Sequence, residues 1–209
     1  HVNSGLKLYM ESAIAAPVAI TAITKAAPGV LSATGHTFAN GDTVLLEIQG
    51  MVELHGYLCK VVNVVASTSF QVAGVDGTAG IDTTLFSTFS SGTAKKVTLG
   101  TSIVGVQEFA FAGGEIKTTD TTTVNDTVDT QIVVGATAQS ADMTMQWDPS
   151  AAAQQAMITA FKTRSNKGFK VLWPDGAFAM WYGTVGYTGA PGGGKQGVTT
   201  SPAKITMLG

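Results

Sequence analysis

Residues 189–196 read GAPGGGKQ. In a phosphate loop of the form G-x-x-x-x-G-K-[ST], turn amides and the N-terminus of the next helix cradle the phosphates. The Lys reaches them, and a Ser or Thr hydroxyl holds the metal. Gly189, Gly194 and Lys195 fall in that register, but Gln196 stands where the hydroxyl belongs. The flanks argue against the chemistry. Residues 177–188, AFAMWYGTVGYT, read as a strand. Residues 197–209, GVTTSPAKITMLG, carry β-branched side chains, a proline and no helical period, and read as another strand. Two strands around a Pro-Gly-rich tip make a hairpin, where a phosphate loop needs strand, turn and helix.

His36, His55 and Cys59 offer one metal-binding idea. The spacing of His55 and Cys59 suits adjacent helical turns, yet the region reads as strand and shows no fourth ligand. Cys59 lies in the apolar run YLCKVVNVV and is read as a small buried hydrophobe. A single cysteine excludes an intrachain disulfide and a cysteine-based zinc cluster. No G-x-S-x-G elbow occurs, and no residue pairing marks a Ser-His-Asp triad. Asp126 and Asp129 sit in a polar stretch and are read as solvated charge. Trp147, Trp173 and Trp181 are read as core or interface anchors. No catalytic residue, metal or cofactor is expected.

Composition bears on the surface, and fits self-covering as well as a secreted or virion setting. Of 209 residues, 44% are hydrophobic, enough for a sizeable core, while only 12% are charged, about half the usual share. Such a surface, rich in Thr, Ser, Ala and Gly, suits burial against other copies of the same chain. A net charge of −2 argues against tight nucleic-acid binding. No transmembrane run and no signal-peptide pattern is visible. The charge is unevenly placed. Residues 101–150 hold seven acids and one base, whereas 151–209 hold six bases and one acid. That segregation fits either chance on a solvated surface or two opposed faces that meet head to tail.

The elements are mostly short strands. GLKLYM (5–10) alternates as a first strand. Residues 17–98 then give strands at regular spacing, with turns at Pro28-Gly29, at Asn40-Gly41-Asp42 and around 66–68, the pattern of a small sandwich or barrel. Beyond Ile103, IVGVQEFAFAGGEI is a long β segment. KTTDTTTVNDTVDTQ (117–131) is polar, Thr-rich and without a core face, too long for an ordinary hairpin loop. ADMTMQW (141–147) alternates strictly. One helix follows, with Asp148 expected as N-cap, Pro149 at its first position, and Asn166 and Gly168 ending it. Met157 and Phe161 are expected to pack that helix onto a sheet.

These segments together resemble a major tail tube protein of a long-tailed, siphovirus-like bacteriophage. Gly5-Leu6-Lys7-Leu8-Tyr9 is similar to that family's opening strand. VGVQEFAFAGGEIKTTDTT resembles its next strand and acidic-threonine loop, and DPSAAAQQAMITAFKTRSNKGFKVLWPDG resembles its helix, strand and turn. The resemblance covers 1–16 and 99–209. Residues 17–98 are extra to it and resemble the first catalytic-cysteine half-domain of ubiquitin-activating enzymes. That likeness concerns the β fold and carries no ubiquitin chemistry onto Cys59. The expected fold is mainly β: a tail-tube-type sandwich or barrel (1–16 and 99–209) with one helix, plus an inserted small β-barrel domain (17–98).

The resemblance implies a virion protein that stacks as hexameric rings into a tube through which DNA is delivered. Its partners would be copies of itself, tape-measure and tail-terminator proteins, and DNA in transit. Thr118, Asp120, Val124, Asp126, Val128 and Asp129 are then expected in an arm between subunits or rings. Glu108, Glu115 and Asp142 are candidates for an acidic lumen lining. The competing expectation is a tail or surface-decoration module that binds carbohydrate or the host surface.

Overall fold

The computed structural model describes residues 5–73, 77, 79–123, 127–193 and 197–208. The chain opens with β1 (Lys7–Met10). Eight strands follow: β2 (Ala13–Ile14), β3 (Val18–Ile20), β4 (Ala22–Ile23), β5 (Leu31–Ser32), β6 (Thr43–Gln49), β7 (Leu58–Val65), β8 (Ser69–Val72) and β9 (Ser91–Thr98). Then come β10 (Thr101–Ile103), β11 (Val106–Ala112), β12 (Ile116–Asp120), β13 (Gln131–Ala136) and β14 (Ser140–Gln146). Helix α1 (Ala152–Thr163) leads to β15 (Asn166–Leu172), β16 (Phe178–Gly186) and β17 (Thr200–Met207). The protein is thus mainly β with a single α-helix among the described residues.

The outer strands form one seven-stranded antiparallel sheet, ordered β10-β1-β15-β16-β17-β14-β11. Its two edge strands, β10 and β11, are consecutive in the chain and joined by Val104 and Gly105 alone. Three residue steps reach at most about 11 Å, so the sheet must roll until its edges nearly meet. Gly105 allows the corner: its φ is 73°, and its carbonyl accepts the Gln146 N–H at 2.8 Å. The rolled face encloses Leu8, Met10, Met143, Met145, Phe169 and Ile205, with Met157 and Ala160 of α1 closing over it. Strict alternation in β14 places Ala141, Met143 and Met145 inside.

Residues 13–98 build a second, eight-stranded sheet, ordered β2-β9-β6-β7-β8-β5-β4 with β3 also on β9. It has a core of its own, with Leu31, Val44, Leu46, Ile48, Val61 and Phe70 at its centre. Where the two sheets meet, Leu45, Leu58 and Val97 pack on Leu99, Met180 and Tyr182. Gly168 of β15 lies under this contact. A Cβ there would come within 3.3 Å of Leu58 and Val97, so a larger residue would push the sheets apart. Beside it, the Glu11 carboxylate is buried. It accepts a bond from Lys167 Nζ at 2.9 Å and from the Gly168 N–H at 3.1 Å.

The helix departs from expectation at both ends. Asp148 is not its N-cap: α1 begins three residues later, behind Ala151. The Asp148 carboxylate instead closes a local turn, accepting the Ser150 N–H at 2.9 Å and hydroxyl at 2.6 Å. Pro149 therefore precedes the helix. The first turn is held by Gln154, whose Nε2 donates to the Gln146 carbonyl and whose Oε1 accepts from Tyr187 Oη. At the other end Arg164 itself takes the left-handed conformation (φ 52°), and the Ser165 N–H returns to the Ala160 carbonyl. Asn166 and Gly168 belong to β15.

Candidate assembly surfaces

Among the described residues, no helix follows the glycine-rich tip as a phosphate loop requires. β16 and β17 pair antiparallel from Gly183↔Met207 to Gly186↔Lys204, so a strand follows the glycine-rich tip. The Gly189 carbonyl accepts Trp147 Nε1–H at 3.2 Å. Gly194, Lys195 and Gln196 lie outside the described residues.

The three candidate metal ligands are engaged elsewhere. His36 Nε2 lies 3.2 Å from the carbonyls of both Val65 and Ser69, and its Nδ1 accepts the Phe38 N–H. His55 Nδ1 accepts the Ile48 N–H at 3.2 Å. Burial pushes the Cys59 thiol up to about 12, which keeps it protonated at neutral pH.

The Thr-rich segment does not form an open loop. β12 and β13 pair antiparallel from Ile116↔Ala136 to Asp120↔Gln131, with a bulge between Lys117 and Thr118. This ribbon forms no part of either large sheet, and all eleven of its strand positions are exposed. Thr118 and Asp120 stand on β12; Val128 and Asp129 lie on the return to β13; Val124 and Asp126 fall outside the described residues. Near the tip, Asp120 accepts the N–H and hydroxyl of Thr122, which holds its carboxyl below the ordinary Asp range. The returning strand, QIVVGA, is the surprise. Ile132, Val133 and Val134 are each more than half exposed, with Ile116 at 68% and Val128 at 74%. Sequence reading missed this apolar half because it judged the polar stretch 117–131 alone. The run of β-branched residues just beyond it was the available signal.

A second open surface is β11, which pairs with β14 only and leaves its other edge uncovered among the described residues. Glu108 of β11 lies opposite Thr144, and Asp142 of β14 lies opposite Lys204 of β17, so these three charges share the outer face of the rolled sheet. Asp142 Oδ1 and Lys204 Nζ are 3.9 Å apart, an ion pair without a hydrogen bond. Glu115 is not with them; it is exposed at the ribbon root, where its N–H donates to Thr137 Oγ1.

Of the two residues expected to pack the helix, Met157 is fully buried, whereas Phe161 is 42% exposed. The expectation for Phe161 is corrected. The buried stripe runs through Ala153, Met157 and Ala160, and Phe161 stands one position around the helix from it. Phe161 instead lines an outer hollow with Lys162, Arg164 and Lys204.

Among the described residues, no helix is long and apolar enough to cross a membrane. No curated protein matches the chain. The family model described as "Phage tail tube protein, TTP" matches residues 50–209, which takes in the second half of the eight-stranded sheet as well as most of the rolled one. A rolled β sheet, an exposed ribbon and a charge-poor surface are the features of a subunit built to be covered by others, and with that match over most of its length the chain belongs to the phage tail tube protein family: a structural, non-enzymatic protein of the virion tail.

Proposed function

We propose that the chain assembles into six-membered rings that stack into the tail tube and conduct DNA, with the tape-measure and tail-terminator proteins as further partners. The exposed ribbon β12–β13 carries this reading. An isolated two-stranded hairpin is marginal in water, and this one exposes isoleucine and valine side chains that no part of its own subunit covers. A neighbouring copy supplies the missing cover. The open edge of β11 is a second site that association would close. Glu108 and Asp142, on the outer face of the rolled sheet, are the lumen-lining candidates, although Lys204 offsets part of their charge.

Residues 17–98 are proposed to form an outward-facing module of the half-domain type. It has a separate core, and its entry and exit strands pair at Ala13↔Thr98, so a short linker could replace it. Replacing 18–97 with a Gly-Ser linker, and Met180 and Tyr182 with polar residues, is expected to leave the rolled sheet folded and soluble. An insoluble product would make the module part of the tube wall. Negative-stain microscopy of the purified chain tests the assembly itself: rings or tubes are expected. Dispersed monomers that bind glycans would favour a carbohydrate-binding module.

A further inference from the structure

The assembly reading leaves open where a neighbour's ribbon would sit, and three observations converge on the first half of β16. First, that half has an open edge. β17 pairs only with residues 183–186, and the Leu208 N–H extends the cover to the Tyr182 carbonyl. Strand groups alternate, so the N–H and carbonyl of Met180 point to the same edge as those of Tyr182. No backbone bond among the described residues meets them there. Second, Trp181 is 4% exposed, and its Nε1–H finds no acceptor. Phe111 makes a T-shaped contact with its ring at 5.2 Å but offers no oxygen or nitrogen. Third, Lys60 and Lys170 both stand over the Phe178 ring, at 5.7 and 5.1 Å. Neither is paired with a carboxylate among the described residues.

Three hollows meet at these groups and share Met180. One, about 330 Å³, is lined by Lys60, Tyr57, Phe86 and Phe178. A second, about 340 Å³, is lined by Phe111, Gln139, Trp181 and Met207. The third, about 530 Å³, reaches the root of the ribbon at Gly114 and Ala136. Together they make an apolar groove along an open strand edge, with Lys60 and Glu53 lining one end and Lys170 beside it on the Phe178 ring. Its complement is an extended segment with free backbone groups, β-branched side chains and acids. The same chain carries one: the ribbon, with Ile132, Val133, Asp120 and Asp129. A subunit cannot fill its own groove in this way. The ribbon root lines the groove, and the tip lies a five-residue strand, about 17 Å, beyond it.

We propose that the open edge of β16 takes the ribbon of a second copy by strand addition, with Met180 as the backbone register point. Trp181 Nε1–H then donates to a ribbon carbonyl, and Lys60 and Lys170 face the ribbon acids. Because Nε1 is covered, a lining side chain must turn to admit the acceptor, and the half-exposed Phe111 is placed to do so. The contact is head to tail, so repetition closes a ring or continues a stack. The proposal rests on the self-assembly reading above and adds the site to it.

Hydrogen exchange at the Met180 amide tests it, measured on dissociated subunits and on assemblies of the intact chain. Exchange at least about tenfold slower in the assembly is expected, and no such slowing in a variant whose residues 117–135 are replaced by Asn-Gly. In a mixture of isotope-labelled and unlabelled intact copies, carbodiimide should join Asp120 or Asp129 of one copy to Lys60 or Lys170 of another. An amide already protected in the subunit overturns the proposal, as does protection that persists in ribbonless assemblies. Links to Lys162 or Lys204 instead place the ribbon in the other basic hollow and overturn it too. Rings or tubes with Met180 unprotected would remove this contact and leave the tube reading standing. A chain that never associates would remove both.

Discussion

β13 and β14 are neighbours in the chain with opposite fates. β14, SADMTMQ, has one charged and three other polar side chains, yet Ala141, Met143 and Met145, at every second position, are buried. β13, QIVVGA, is the more apolar of the two and is exposed throughout. Hydrophobicity alone therefore does not say which strand a subunit covers for itself. β14 has partners on both edges, β11 and β17, and a helix over one face. β13 has only β12. The rolled sheet is complete within one copy, whereas the ribbon is an apolar element that, in the assembly proposed above, takes its second layer from another molecule. In that view the low charge of the chain and the exposed ribbon have one cause: much of the surface is interior in the finished assembly.

The sharpest way to break this contrast is to remove the ribbon. Replacing 117–135 by Asn-Gly should leave the subunit folded, with a melting temperature within a few degrees of the parent, because every described residue of that stretch is exposed. Rings or tubes should fail to accumulate in sedimentation and microscopy. Tubes of normal length would show that the ribbon is merely exposed. Raised salt should weaken assembly of the intact chain wherever ribbon acids meet lysines.

On the other side of the contrast, Met157→Ala should destabilise the subunit by about 2–5 kcal/mol, since a fully buried side chain leaves a cavity. Phe161→Ala should cost clearly less than Met157→Ala, because its side chain is 42% exposed and leaves no enclosed cavity. Denaturant unfolding of the two variants in the dissociated subunit compares them directly. Equal losses would mean that the helix is seated differently.

Much of the rolled sheet was legible because its code is local. Strict alternation marked β14, and turn residues marked the hairpins. The body of α1 was legible, and Met157 was correctly placed in its buried face, whereas Phe161 was not. The helix ends were not legible, because Asp148 satisfies Ser150 and the first turn depends on Tyr187, 33 residues beyond Gln154. The junction of the two sheets was illegible for the same reason. Glu11 has no local signal; its partner Lys167 lies 156 residues away. The ribbon was half legible: threonines and acids marked an extended segment, but the exposure of its apolar strand β13 had no signal in the polar stretch 117–131.

That junction supplies the next test. Glu11→Ala strips the Gly168 N–H and Lys167 of their acceptor. Lys167 is 30% exposed and can turn to water, whereas the backbone N–H beside the sheet contact cannot. The loss should be about 1–3 kcal/mol, with Glu11→Gln recovering part of it through its amide oxygen. No change in Glu11→Ala would mean that the junction is held by its apolar contacts alone.

The smallest expected effect is at the ribbon tip and sharpens what "exposed" means there. Asp120 accepts two bonds from Thr122, and these lower its carboxyl pKa relative to an unstructured chain. A folded pKa below the unfolded one gives stability that is present above the unfolded value and lost as pH falls through the folded value. The turn should therefore be intact at neutral pH and loosen only below the ordinary Asp range, while the buried strands of the rolled sheet stay unchanged. The Thr122 amide, followed by NMR on dissociated subunits, should lose its downfield shift in that acid window, and Asp120→Asn should flatten the dependence. A Thr122 amide that moves between pH 6 and 8, or that ignores the Asn substitution, would show that another group orders the tip. The ribbon would then present a different end to its neighbour.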